Sequence, residues 1–172
     1  MSEHHFFTEA LATPIGPMLL LTDAEDNVRS LDWEDHADRL YLLLRRQYGA
    51  VRLEPKAGVS AARLGLEAYF AGALEAIVEV PVAMAGTSFQ RSVWAALRTI
   101  RCGETTSYGR LAAMLGRPKA MRAVGMANGS NPVSIIVPCH RVIGADSSLT
   151  GYGGGVERKR WLLQHEGAVF GG

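Results

Sequence analysis

Two hydrophobic runs near the N-terminus, MLLLT (Met18–Thr22) and VRSLDW (Val28–Trp33), flank the turn-rich segment DAEDN and predict a pair of strands. The second alternates imperfectly, with Val28, Leu31 and Trp33 as its apolar members. In DRLYLLLRRQY (Asp38–Tyr48), the positions Leu40, Leu43, Leu44 and Tyr48 recur at helical spacing. SAARLGLEAYFAG (Ser60–Gly72) predicts a second helix, capped by Ser60 and stopped near Gly72. IVEVPVAM (Ile77–Met84) predicts an extended segment, with Pro81 marking an edge strand or a linker. The first half is therefore expected to be a small α/β unit.

Past a boundary expected near residues 82–87, the pattern turns mainly helical. The expected domains are residues 1–84 and 85–172. TSFQRSVWAALRTI opens with Thr87 three residues before Gln90, the spacing of a capping box. Phe89, Val93, Trp94, Leu97 and Ile100 follow as an apolar stripe. SYGRLAAML (Ser107–Leu115) predicts a short helix capped by Ser107, Gly116–Pro118 a tight break, and KAMRAVGMAN (Lys119–Asn128) a second short helix. That succession has the spacing of a helix-turn-helix, although any helical hairpin shares it. SIIV (Ser134–Val137) predicts a buried strand after the Asn131-Pro132 turn. SSLTGYGGGV (Ser147–Val156) predicts a loop, and ERKRWLLQHEG (Glu157–Gly167) a last helix stopped by Gly167.

Length and composition narrow the class. With 172 residues, 48% of them hydrophobic, the chain can bury the core of one or two small domains. No apolar run approaches the ~20 residues that span a bilayer. MSEHHFFTEA lacks the pattern of a secretory signal, and two cysteines give no disulfide framework and no four-ligand zinc pattern. The expectation is a cytoplasmic protein with reduced thiols. The net charge of +1 hides a split: residues 1–86 hold 7 Lys/Arg against 13 Asp/Glu, whereas residues 87–172 hold 11 against 4. A half at +7 beside a half at −6 suggests that the basic half meets a polyanion.

The candidate chemistry centres on Cys139, which follows Pro138 and precedes His140 and Arg141. A free thiol has a pKa of ~8.5, so only a few per cent is thiolate near neutrality unless an imidazole or cation helps. In extended backbone neighbouring side chains face opposite ways, so His140 needs a bend or a bridging water to act on Cys139. Taken alone, a Cys-His pair is more often an inert buried thiol beside a core histidine.

The surrounding run changes that balance. PCHRV (Pro138–Val142), RAVG (Arg122–Gly125), NGSNPVSIIVPCHRVIG (Asn128–Gly144), TGYGGG (Thr150–Gly155) and LLQHEG (Leu162–Gly167) resemble, in order and spacing, the O6-alkylguanine-DNA alkyltransferase family in its compact bacterial form. The resemblance covers about Phe89 to Gly167, and in the N-terminal half only the general α/β character fits. It implies a ribonuclease H-like N-terminal domain followed by a helical domain with a helix-turn-helix. It also implies a single-turnover repair reaction that moves an alkyl group from O6 of guanine, or from O4-alkylthymine, onto Cys139. No cofactor and no metal are implied. The implied partner is alkylated duplex DNA, bound by a monomer that can cluster along it.

Roles follow by position from the same resemblance. Cys139 is the acceptor, His140 its base through a water, Glu166 the residue that orients His140, and Asn131 the brace of the cysteine segment. Tyr108 strains the 3′ phosphate and donates a proton toward N3 of the departing guanine. Arg122 fills the gap left by the extruded base. Ala123, Gly125 and Ala127 let the second short helix sit close in the minor groove, with Thr106 and Ser107 also facing DNA. Val142, Tyr152 and Gly153 line the base pocket. Cys102 matches no motif, and His4, His5 and His36 are poor evidence for zinc in a half without cysteine. Three other readings stand beside this one: a lesion-binding protein without chemistry, whose relatives carry Trp where this chain has Cys139, a cysteine hydrolase, and a transcriptional regulator.

Overall fold

The computed structural model describes residues 3–171; Met1, Ser2 and Gly172, which end the two expected domains, lie outside the described residues. The chain divides into two compact units, Met1–Ala85 and Gly86–Gly172. Together they make a mixed α/β protein. Among the described residues no helix is long and apolar enough to cross a membrane.

Among its described residues, the first unit has a four-stranded sheet and two α-helices. Its strands are β1 (His4–Leu11), β2 (Met18–Thr22), β3 (Val28–Trp33) and β4 (Val51–Pro55), in the order β3-β2-β1-β4. β1 runs antiparallel to β2 and parallel to β4, and β2 runs antiparallel to β3. β2 and β3 lie where the apolar pattern predicts them, whereas β1 and β4 have no predicted counterpart. β1 is hidden because Glu9 points inward, where Oε1 accepts the Ser60 amide at 3.0 Å. Helix α1 (Ala37–Tyr48) packs Leu40 and Leu44 onto Phe6 and Leu21 of the sheet. In α2 (Ala61–Phe70), the Ser60 hydroxyl caps the first turn by accepting from Arg63 N at 3.0 Å.

Ile77–Met84 is not the continuous extended segment that its sequence predicts. Leu74–Ile77 is a single 3-10 turn, continued by Val78 N donating to Glu75 O at 3.1 Å. Only Val82 bridges a strand, beside Val28. Pro81 offers no amide to lengthen that ladder, and its carbonyl accepts from Val28 N at 2.9 Å.

The second unit is mainly helical. Helix α3 (Ser88–Leu97) begins with both bonds of the Thr87–Gln90 capping box. Its fully buried Trp94 donates from Nε1 to the Ala127 carbonyl at 2.9 Å, which ties α3 to helix α5 (Met121–Gly129). Between them lie strand β5 (Thr106–Ser107) and helix α4 (Tyr108–Met114), the latter capped by the Ser107 hydroxyl. Gly116 makes the tight turn between α4 and α5 at φ +70°. β5 pairs in parallel with β6 (Val142–Ile143). Helix α6 (Val156–His165) stops before Gly167 at φ +75°.

Ser134–Val137 is buried but is not a strand. Ile136 N donates to Ser134 O at 2.8 Å and Val137 N to Val133 O at 3.2 Å, so the run coils into turns. Ile135 sits at φ +69°, a left-handed conformation that a β-branched residue adopts only when its surroundings force it.

Candidate active site

Asn131 explains how the segment before Cys139 is held. Its Nδ2 donates to the carbonyls of Val133 at 3.2 Å and Val137 at 2.8 Å, and its Oδ1 accepts the Val133 amide at 3.0 Å. One carboxamide thus replaces the ladder that a strand would have supplied. The chain then enters a single 3-10 turn, Cys139–Arg141, instead of remaining extended. Neighbouring side chains on such a turn do not alternate across a plane, which supplies the bend that a Cys-His pair requires.

The three residues of that turn are buried. Cys139 retains 7% exposure, and His140 none. His140 Nε2 lies 2.8 Å from Glu166 Oε2. Its other ring nitrogen, Nδ1, has no hydrogen-bond partner among the described residues. Arg141 grips the same carboxylate in fork geometry, Nε to Oε1 at 2.8 Å and Nη2 to Oε2 at 3.0 Å.

Electrostatics divides the roles. Burial pushes His140 below its ordinary pKa, with Glu166 pulling the other way. Burial alone would raise the Glu166 carboxyl, but His140 and Arg141 outweigh it and hold the group far below the usual carboxylate range. Burial favours the neutral imidazole, and the permanently charged Arg141 stays against Glu166 whichever form His140 takes. A neutral imidazole backed by a fixed carboxylate is poised to accept a proton.

A second line of contacts approaches Cys139 from α6 and the glycine-rich loop. Lys159 is fully buried; Nζ donates to Val142 O at 2.6 Å, Thr150 Oγ1 at 3.1 Å and Thr150 O at 3.4 Å. Burial lowers its pKa to about 8, against an opposing attraction from Cys139. Thr150 Oγ1 also meets the Tyr108 hydroxyl at 3.2 Å. The Tyr108 ring lies over Gly125, where an added Cβ would be 3.8 Å from the ring. Tyr108, Thr150, Lys159 and Val142 are therefore continuous.

The remaining expected residues separate by exposure. Arg122 and Ala123 are exposed on α5, and Arg122 makes no hydrogen bond or ion pair among the described residues. Ala127 is 3% exposed, which withdraws its side chain from any surface that α5 offers to a partner. Its helical phase puts it with Val124 on the inner face. Val142 is fully buried, so its carbonyl is the part of it in this network. Tyr152 is half-buried and Gly153 exposed. Thr106 and Ser107 line a cavity of about 300 Å³ together with Thr105, Arg110, Gly144 and Ser147.

Sequence reasoning missed Lys159, Thr150 and Arg141. The basic run ERKR in α6 suggests a solvated face, yet Lys159 precedes Leu162 by three and Leu163 by four residues, and Glu166 by seven. Those spacings put a lysine and a glutamate on the buried face of the helix.

Residues 88–168 match the family model described as 6-O-methylguanine DNA methyltransferase, DNA binding domain. Over 167 residues the chain is 51% identical to the methylated-DNA–protein-cysteine methyltransferase of Shigella flexneri, covering 94% of this chain and 96% of that one. Identity to the protein of the same name from Salmonella typhimurium is 52%, with the same coverage. Among solved structures, the O6-methylguanine methyltransferase of Mycobacterium tuberculosis superposes with a TM-score of 0.77 at 43% identity, covering 94% of this chain and 93% of that one. The structure of M. tuberculosis OGT in complex with DNA gives 0.76 at 43% identity, covering 95% and 92%.

Proposed function

The chain belongs to the methylated-DNA–protein-cysteine methyltransferase family, and from that membership we infer that it repairs alkylated DNA by direct reversal, taking the alkyl group onto Cys139. The observation that carries this reading is the buried chain from Cys139 through the adjacent His140 to Glu166, closed by a 2.8 Å contact.

The step balances without a cofactor. The Cys139 thiol gives its proton toward His140 Nδ1, directly or through one solvent molecule, while Nε2 keeps its bond to Glu166. Sulfur attacks the alkyl carbon, the C–S bond forms, and the bond from that carbon to O6 of guanine breaks. The guanine takes a proton at N3 from Tyr108 as the electrons return to the ring; the phenolate regains a proton from solvent and His140 releases the one it took, so no net charge is left. Lys159, charged below about pH 8 and within electrostatic reach of Cys139, favours the thiolate as it forms. The product is a thioether with no good leaving group, so each molecule reacts once.

The finer parts of the proposal concern how DNA reaches the thiol. We read residues 1–84 as a ribonuclease H-like domain and residues 85–172 as the DNA-binding and alkyl-acceptor domain, with α4 and α5 as a helix-turn-helix. Arg122 and Ala123 meet the minor groove, Arg122 fills the stack where the base leaves, and Tyr152 and Gly153 border the extruded base. The polar cavity beside Thr106, Ser107 and Arg110 suits a backbone phosphate. Asn128 is buried on α5 with Oδ1 unpartnered among the described residues, and Gly151 is exposed. Such a protein works as a cytoplasmic monomer on alkylated duplex DNA.

The test is stoichiometric. A duplex carrying O6-methylguanine should lose its methyl group to the protein in a ratio of about one, and mass spectrometry should find one methyl increment on the peptide containing Cys139. Repeated turnover, or transfer that persists in Cys139→Ala, would refute the assignment.

A further inference from the structure

Cys102 has no part in the chemistry described above, and the sequence attaches it to no motif. It lies half-buried in the turn after α3, whose backbone closes with Glu104 N donating to Arg101 O at 3.0 Å. That turn is built around the Arg141–Glu166 pair. Ile100 O accepts from Arg141 Nη1 at 2.5 Å. Cys102 Sγ accepts from Arg141 Nη2 at 2.9 Å. Gly103, at φ +87°, lies so close to Glu166 that an added Cβ would be 3.2 Å from its carbonyl oxygen.

A guanidinium is a rigid planar fork. One edge, Nε and Nη2, faces Glu166 here. Ile100 O and Cys102 Sγ fix the other side, so the plane cannot rotate about Nε without breaking one of these bonds. Nη2 is shared: the nitrogen that reaches Cys102 is the one that holds Glu166 Oε2, and Oε2 is the oxygen bonded to His140. The sulfur is thus three contacts from the imidazole.

We propose that Cys102 is a positioning residue for alkyl transfer: its sulfur fixes Arg141, Arg141 fixes Glu166, and Glu166 fixes His140. The proposal rests on the reading of Cys139 as the alkyl acceptor. Removing the sulfur leaves the pair intact but loosens the carboxylate behind the imidazole. His140 then becomes a weaker and less well-aimed base. General-base assistance is worth roughly 10²–10⁴-fold, so weakening it without removing it should slow the reaction about 5-fold.

Single-turnover methyl transfer from an O6-methylguanine duplex, followed between pH 6 and 9.5 in the parent, Cys102→Ala and Cys102→Ser, tests this. Cys102→Ala should react about 5-fold more slowly at pH 7, with the deficit shrinking toward pH 9 as hydroxide takes over the proton acceptance that His140 supplies; the neighbouring Lys159 titrates alike in parent and variants. Cys102→Ser keeps an acceptor and should stay within about 2-fold of the parent across the range. A Cys102→Ala protein as fast as the parent at every pH would overturn the proposal. So would equal slowing of both variants at every pH, which marks altered packing. A parent that leaves no alkyl group on Cys139 would sink the functional reading, and this proposal with it.

Discussion

Lys159 is an ammonium in a place where ammonium ions are costly. It has no exposed surface, and burial lowers its pKa from 10.5 to about 8. Below that pH the folded protein carries the full desolvation penalty, offset by three oxygen acceptors and by Cys139. Between about 8 and 10.5 the unfolded chain holds the proton more tightly than the folded one, so folding stability rises with pH through that window. Lys159→Met removes the titration. Urea denaturation of the two proteins should show the parent gaining about 2.5 kcal/mol on the variant between pH 7 and pH 10, because a proton held by only one of the two states is worth about 1.36 kcal/mol for each pH unit crossed. A constant difference would mean that the ammonium is better solvated than its burial indicates. Glu166 has the opposite sign: its depressed pKa contributes stability at neutral pH that is lost as the medium becomes strongly acid.

Among the elements, the turn-rich segment from Asn131 to Pro138 carries the most unusual backbone. It contains Ile135 at φ +69°, and the Asn131 carboxamide makes three buried hydrogen bonds across it. Asn131→Ala leaves the Val137 carbonyl and both Val133 groups without those bonds. The expected loss is about 3 kcal/mol, from roughly 1 kcal/mol per bond. Thermal unfolding should register it, and methyl transfer should slow because Cys139 lies two residues beyond Val137. A variant that keeps both stability and rate would show that the turn holds itself. The same segment explains what the sequence conceals. An apolar run such as SIIV reads alike as a strand or as packed turns, and only the side chain at Asn131 decides, by taking the bonds a ladder would have made. β1 is hidden by one inward glutamate, Glu9, and β4 by its brevity and half-exposed pattern. Ser60, Thr87 and Ser107 announce their helices because a cap is a local bond over three residues. The motif brings Cys139, His140 and Glu166 to notice, and the 2.8 Å contact joins the last two. Arg141 and Lys159 escape notice because a cation in a basic run looks solvated until its helix or turn is wound.

At the scale of the whole molecule the chain divides its charge between its units. Residues 87–172 hold 11 Lys/Arg against 4 Asp/Glu, and residues 1–86 hold 7 against 13. Two of the basic residues are committed internally: Arg141 and Lys159 are buried in the site. Arg122 is not, being exposed on α5 without an ion pair or hydrogen bond among the described residues. An extended cation of this kind has two possible uses on DNA. It can add to general phosphate affinity, or it can occupy the stack when a base leaves, and the two predict different kinetics. Extruding a base costs a few kcal/mol, and each 1.4 kcal/mol is tenfold in rate or population. If Arg122 offsets part of that cost, Arg122→Ala should slow repair of duplex O6-methylguanine by more than about tenfold under saturating protein. Attack on the free alkylated base, which needs no extrusion, should change by less than about 2-fold. If Arg122 only neutralises a phosphate, saturating protein should restore the duplex rate, and the salt dependence of binding should fall by about one counterion. Comparing the duplex rate, the free-base rate and the salt slope in a single variant separates the two, and equal losses on both substrates would remove Arg122 from the extrusion step altogether.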